Sequence, residues 1–343
     1  MPVEFNQGES AVPVVISWLR PVTSSIAAAL LSVVYLPAAA AAENEYPSKS
    51  VRLIVPLAPG GGNDILSRYI AHKLGETTGQ RIVVDNRPGA GGNIGTELAA
   101  KAPPDGYTLL MGGSAQITTN PSLYKNLPYD VMKDLAPITL IAEFPLLVLV
   151  HPSLPVHSMK DLIAFAKSRP GKISYGSSAS GGGTHLTVEL IKTMTGIDMV
   201  HVPYKGAGPA LADLVAGQIS LLLNNPLSSL PYAKSGRIRP IAITSIKRLA
   251  AMPDIPTVDE SGIPGFSATN WLGLFAPART PPAIVMKIHD DVTKIIRQKD
   301  TVEWITGQGM EPVGSSPDQF LERIKADTAI WSKVIKDSGA RID

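Results

Sequence analysis

Val51-Arg52-Leu53-Ile54-Val55 runs into Pro59-Gly60-Gly61-Gly62-Asn63-Asp64, and Ile65, Leu66, Tyr69, Ile70 and Leu74 then recur at helical spacing. That order reads as a buried strand, a glycine loop and an amphipathic helix. About 120 residues later the plan returns: Ile173-Ser174-Tyr175 leads to Ser177-Ser178-Ala179-Ser180-Gly181-Gly182-Gly183-Thr184. Glycine lets backbone approach a ligand closely, and the first turn of the following helix offers unpaired N–H groups with partial positive charge. Each loop is therefore a candidate anion cradle. Two cradles in separate halves of one chain imply a ligand held from both sides, one with two anionic ends.

Outward from these loops, short apolar runs alternate with helical patterns, the signature of an α/β fold with a mainly parallel sheet in each domain. Strands are expected at Val51–Val55 and at 81–84, 107–111, 138–142, 146–150, 172–175, 199–202, 219–223, 238–244 and 272–275. Ser158-Met159-Lys160-Asp161 has capping-box spacing and opens a helix to Ser168, and Ser316-Pro317-Asp318-Gln319 opens the last helix. Tyr204-Lys205-Gly206-Ala207-Gly208-Pro209 forms a third loop, before a helix expected to begin near Pro209. Pro145-Leu146 and Ala268-Thr269-Asn270-Trp271 read as crossings between domains. Residues 46–145 plus 268–343 then form domain 1 and residues 146–267 form domain 2, with a double-crossover hinge between them.

With 343 residues the chain has length for two domains with real cores. A net charge of +2 without a basic stripe argues against nucleic acid as a partner. Cysteine is absent, which excludes disulfides, thiol catalysis and thiolate zinc sites. The six histidines fall in no metal-ligand pattern, so neither metal nor cofactor is expected. Arg20, the apolar segment from Ile26 to Leu36 and the small residues from Ala38 to Ala42 follow the order of a secretory signal. Residues 1–42 are thus expected to be a signal peptide with an upstream extension, cleaved near Ala42, leaving a periplasmic protein. Gly176-Ser177-Ser178-Ala179-Ser180 lacks the last glycine of a nucleophile elbow. Gly206-Ala207-Gly208 lacks the third glycine of a dinucleotide fingerprint, and no Walker A pattern occurs. Enzyme readings therefore have little support.

Several motifs occur together in one order. They are the first glycine loop from Pro56 to Asp64, Asp85-Asn86-Arg87-Pro88-Gly89-Ala90-Gly91-Gly92, Asn120-Pro121-Ser122-Leu123-Tyr124 and His201-Val202-Pro203-Tyr204-Lys205-Gly206. Met252-Pro253-Asp254-Ile255-Pro256-Thr257-Val258-Asp259-Glu260-Ser261-Gly262 completes the set. From about Tyr46 to Asp343 the chain resembles the Bug family of extracytoplasmic solute receptors, the substrate-binding components of tripartite tricarboxylate transporters. The resemblance implies a two-domain periplasmic binding protein of the Venus-flytrap kind, type II-like. It also implies a small carboxylate ligand, permease subunits in the membrane as partners, a monomeric receptor and no catalysis. A receptor that signals to a partner without transport has the same sequence features.

The resemblance nominates Pro59, Gly60, Gly61, Ser114, Gln116, Ser178, Gly182 and Thr184 as cleft residues. Ala179 belongs to the same second loop. Ser114, Gln116 and Thr118 follow a strand at the carboxyl edge, where open α/β sheets bind ligands. Asp64 is expected in the first helical turn, where its charge suits the dipole and its carboxylate can bond loop N–H groups. His185 begins the second helix, and Tyr204 and Lys205 lie in the third loop. The family often has an aromatic residue at position 57; this chain has Leu57. Recognition is expected to rest on backbone N–H groups, hydroxyls and water rather than on salt bridges.

Overall fold

The computed structural model describes residues 46–338, so the expected leader and its cleavage point lie outside the described residues. In chain order come β1 (Val51–Val55), α1 (Gly62–Thr78), β2 (Ile82–Asn86), α2 (Asn93–Ala100) and β3 (Thr108–Gly113). A π-helical turn at Ala115–Thr119 leads to α3 (Asn120–Leu123), α4 (Val131–Asp134), β4 (Leu135–Pro145) and β5 (Leu147–Val150). Next are α5 (Met159–Ser168), β6 (Ser174–Ser177), α6 (Gly183–Thr195), β7 (Val200–Pro203), α7 (Ala207–Val215), β8 (Leu221–Asn224), α8 (Pro226–Lys234) and β9 (Arg239–Ile243). The chain closes with β10 (Thr269–Pro277), α9 (Pro282–Ile296), α10 (Lys299–Gly307), β11 (Glu311–Pro312) and α11 (Pro317–Ser338).

Two sheets result, one per lobe. The first has the order β11-β4-β10-β3-β1-β2 and the second β7-β6-β8-β5-β9. The two-lobed α/β architecture agrees with the sequence, but the sheets are mixed rather than mainly parallel. β1 pairs in parallel with β2 and β3, and β6 with β7 and β8, as successive strand–helix–strand units require. The strands next to the crossings are antiparallel to their neighbours. β10 enters between β3 and β4 against both, and β5 enters between β8 and β9 against both. Runs buried on both faces look alike in either direction, so apolar continuity carried no sign of this reversal.

The main apolar core continues from Val51, Leu53 and Leu109 of the first lobe through Phe144 and Leu146 into Val148, Leu221 and Leu223 of the second. At the hinge the two crossing segments are tied through one side chain. Thr244 Oγ1 accepts from Leu146 N–H at 2.8 Å and donates to the Ala268 carbonyl at 2.6 Å. The caps behave as the sequence implies. Ser158 accepts from Asp161 N–H, and Ser316 and Gln319 exchange reciprocal bonds of 3.2 and 3.0 Å at the start of α11. α7, however, starts at Ala207, two residues before Pro209. A proline in the first turn costs no intrahelical bond, because those N–H groups have no helical acceptor, so it does not mark the first residue. Among the described residues, no helix is long and apolar enough to cross a membrane.

Candidate functional site

The first glycine loop leaves the carboxyl end of β1 and turns at Gly60, whose φ of 82° lies in the left-handed region that favours glycine. Gly61 caps α1 with no side-chain bond. Asp64, one turn in, faces back along the loop. Its Oδ2 accepts from Gly60 N–H at 3.0 Å and from Arg68 Nε at 3.1 Å. Burial alone would raise its pKa, but the hydrogen bonds from Arg68, Gly60 and Asn86 hold it below the usual carboxylate range. Asn86 completes the brace, donating to the Leu57 carbonyl at 3.0 Å and accepting from Arg68 at 3.1 Å.

The second loop leaves β6 and is braced by neutral rings. His185 Nδ1 accepts from Gly181 N–H at 2.9 Å, and the ring stacks on His201 with centroids 3.9 Å apart. Ser177 donates to the Ala179 carbonyl at 3.0 Å and contacts His201 Nε2 at 2.6 Å. With its one proton committed to that carbonyl, the serine accepts from an Nε2–H of neutral His201. Burial and then the neighbouring His185 push the His201 pKa down to about 4, and burial also lowers that of His185. Tyr175, which stacks on His201, donates to Glu189 Oε1 at 2.5 Å, and Lys192 bonds the same oxygen. The serine–histidine contact is not a nucleophile pair: Ser177 is wholly buried with its proton in use.

Between the lobes lies a cavity of about 60 Å³ that both loops reach. Gly62 and Asn63 of the first helix turn and Gly183 and Thr184 of the second line it, together with Ser178. Thr184 Oγ1 accepts from Ser178 N–H at 3.1 Å and so fixes the loop against its helix. Ser114 and Gln116 enter from the turn after β3. Ser114 donates to Asn270 Oδ1 at 3.1 Å, and Gln116 donates to the Gly91 carbonyl at 3.0 Å. Among the described residues, no charged side chain lines the cavity. The starts of α1, α6, α7 and α8 bring Gly62, Gly183 and Ala207 to its wall, with Asn225 capping α8 by accepting from Ser228 N–H. Their dipoles make the space favourable to negative charge without a formal cation.

The other candidates lie around this cavity. Leu57, 9% exposed, is in its wall. Pro59, Gly60 and Gly61 face the third loop across the lobe boundary, where Ala58 N–H donates to the Lys205 carbonyl at 3.0 Å. Gly182 caps α6 and bonds back to Ala179. Thr118 is fully buried, and its hydroxyl donates to the Ser114 carbonyl at 2.7 Å. His185 stands behind the second loop. The Tyr204 hydroxyl donates to Asp213 at 2.6 Å, and Ala179, Tyr204 and Lys205 line a neighbouring cavity with Leu57 and Ser178.

Sequence reasoning did not nominate Asn63, Asn224, Asn225 or Asn270, which put amides into the cavity wall. Asn225 had a signal, since an asparagine before Pro226 has the form of a helix cap with proline at the first position. Asn270 had only its place beside the crossing. Trp271, next to it, is 1% exposed and donates from Nε1 to Asp327 at 2.7 Å.

Over residues 66–340 the chain matches the family described as "Tripartite tricarboxylate transporter family receptor". It is 37% identical over 306 residues to Protein BugT of Bordetella pertussis, covering 89% of this chain and 94% of that relative. An R. palustris protein solved with adipate is 40% identical, with a TM-score of 0.84 over 86% of this chain and 98% of that one. MatC from Rhodopseudomonas palustris, solved with bound malate, is 30% identical, with a TM-score of 0.81 over 84% of this chain and 100% of that one.

Proposed function

Because the chain belongs to the tripartite tricarboxylate transporter receptor family, whose members bind solutes and are not enzymes, we propose that it captures a small carboxylate between its lobes. It then presents that carboxylate to membrane permease subunits. One observation carries the ligand class: the N-termini of α1 and α6 enter one cavity from opposite lobes, and no charged side chain among the described residues lines it. Backbone N–H groups there suit carboxylate oxygens, and an acidic wall would repel them. The adipate and malate held by the two R. palustris relatives support the same class.

The receptor works as a monomer in the periplasm after loss of residues 1–42. Its domains are residues 46–145 plus 268–343 and residues 146–267, a division supported by the membership of the two sheets. Gly60 and Gly61 shape the first cradle, and Ser178, Gly182 and Thr184 the second. Ser114, Gln116 and the amides of Asn225 and Asn270 select the ligand between them. Asp64, Thr118 and His185 act by holding these groups in place.

Thermal-shift screening of the mature protein against di- and tricarboxylates, acidic amino acids and aromatic acids tests the reading. At least one carboxylate should raise the melting temperature, and by more at higher ligand concentration. Folded protein indifferent to every carboxylate would refute it. Mass spectrometry of the exported chain should find its first residue near Glu43.

A further inference from the structure

Each lobe sends an asparagine amide onto the first residue of the other lobe's cavity-facing helix. Gly62 opens α1 in the first lobe, and Asn225, which caps α8 in the second, lies against it. Gly183 opens α6 in the second lobe, and Asn270, just past the second crossing in β10, lies against that. The two contacts repeat one plan in opposite directions.

Neither seat has room for a side chain. A Cβ on Gly62 would stand 1.5 Å from Asn225 Nδ2, 2.3 Å from its Cγ and 2.5 Å from its Oδ1. A Cβ on Gly183 would stand 2.4 Å from Asn270 Oδ1. Ordinary carbon contacts begin near ~3.5 Å, so neither seat admits a methyl group while its asparagine is in place. Backbone conformation gives no other reason for glycine here. Neither residue has a positive φ, and alanine is the better residue in a helix. The asparagines are held as well. Asn225 Oδ1 accepts from Ser228 N–H at 3.1 Å and Asn270 Oδ1 accepts from the Ser114 hydroxyl at 3.1 Å, so swinging either amide aside breaks a bond.

We propose that these two seats set closure: Gly62 and Gly183 are positioning residues whose missing side chains let the lobes meet, with Asn225 and Asn270 filling the space left. Bulk at either glycine then acts on the closed receptor alone, because the atoms in its way belong to the other lobe. The seats are unequal. The whole Asn225 amide crowds Gly62, whereas only Oδ1 of Asn270 comes that near Gly183, its Cγ standing at 3.5 Å. The first seat is therefore the stricter one. The assignment rests on capture between the lobes and not on the ligand being a carboxylate.

The chain has no cysteine, so Lys101→Cys in the first lobe and Lys234→Cys in the second, both at exposed positions, give the mature protein one spin-label pair without background. Pulsed electron resonance then reads the distance between lobes without added acid and with adipate or malate. The parent should show a short distance that a bound acid makes dominant. Gly62→Ala should remove that short distance and weaken binding about tenfold, and Gly183→Ala should weaken it about fivefold, with no fall in the melting temperature of the free protein. Adding Asn225→Gly to Gly62→Ala should bring the short distance back, since glycine is also tolerated as a helix cap. Asn270→Ala should do the same for Gly183→Ala. A short distance kept in Gly62→Ala, or lost and not restored by Asn225→Gly, would overturn the seats, as would a parent in which it never appears. A parent that closes while ignoring every acid would leave the seats standing and overturn the carboxylate reading instead.

Discussion

The two glycine loops have one geometry and two kinds of support. The first is held by charge: Asp64 ties Gly60 N–H to Arg68, and Asn86 links Arg68 to the Leu57 carbonyl. The second is held by neutral rings: His185 takes Gly181 N–H, and His201 keeps Ser177 on the Ala179 carbonyl. Loops that present N–H groups to an anion need those groups fixed in advance, because flexible donors would pay their ordering cost on binding. The comparison teaches that the fixing can come from either source, and that the two sources fail under different conditions. The first loop also meets the other lobe directly. Gly206 of the third loop and Gly208 in the first turn of α7 lie against Ala58 and Pro59, and a Cβ at Gly206 would stand 2.7 Å from Ala58 N.

The largest expected effect comes from that cross-lobe contact. Gly208→Ala puts a methyl group onto the Pro59 carbonyl oxygen, while alanine suits the α7 helix itself. Overpacking of about 1–3 kcal/mol should lower affinity about fivefold to 150-fold, with each lobe still folded. Calorimetric titration beside a melting curve checks this; unchanged affinity would mean that the first loop does not need the contact. Asp64→Ala should then remove the charged brace, costing about 1.5–3 kcal/mol in stability and weakening binding as well. An affinity loss with no change in melting temperature would break the bracing account.

Acid should separate the loops. A histidine held at about 4 stays neutral in the folded state while the unfolded chain takes up a proton below about 6.5. Stability is therefore lost as pH falls through that window, by about 1–2 kcal/mol at pH 5 from His201, with His185 adding in the same direction. Glu189 and Lys192, which face the pair, do not cancel it: Glu189 is already engaged by Tyr175 and Lys192. Asp64 contributes nothing in this window, because its stabilisation is lost only below the ordinary aspartate range. Melting temperatures between pH 7.5 and 5 should fall in the parent and fall less in His201→Gln; equal slopes would show that the ring brace carries no linkage. The smallest effect is that of Thr184→Val, which leaves Ser178 N–H without its acceptor. About 1 kcal/mol, or roughly fivefold in affinity, is expected by titration.

Much of this was legible in the chain. Apolar runs located the strands, and both glycine loops were visible because glycine before an amphipathic helix has a local pattern. Asp64 could be assigned to its helix turn because capping involves neighbours in sequence. Contacts set by the meeting of lobes were not legible. Asn225 faces Gly62 and Asn270 faces Gly183 only because the two crossings align the lobes. The Ser177–His201 bond spans 24 residues across parallel strands, and its partners carry no shared motif. Strand direction at the crossings was hidden for a related reason, since a strand buried on both faces reads alike in either direction.

The central claim is that one carboxylate ligand is held by helix N-termini from both lobes at once. A crystal structure of the chain with its best-binding dicarboxylate tests this most directly. The account predicts carboxylate oxygens within hydrogen-bond distance, directly or through one water, of N–H groups at the starts of both α1 and α6. A ligand bound with its carboxylates on one lobe only, or away from both helix starts, would contradict it.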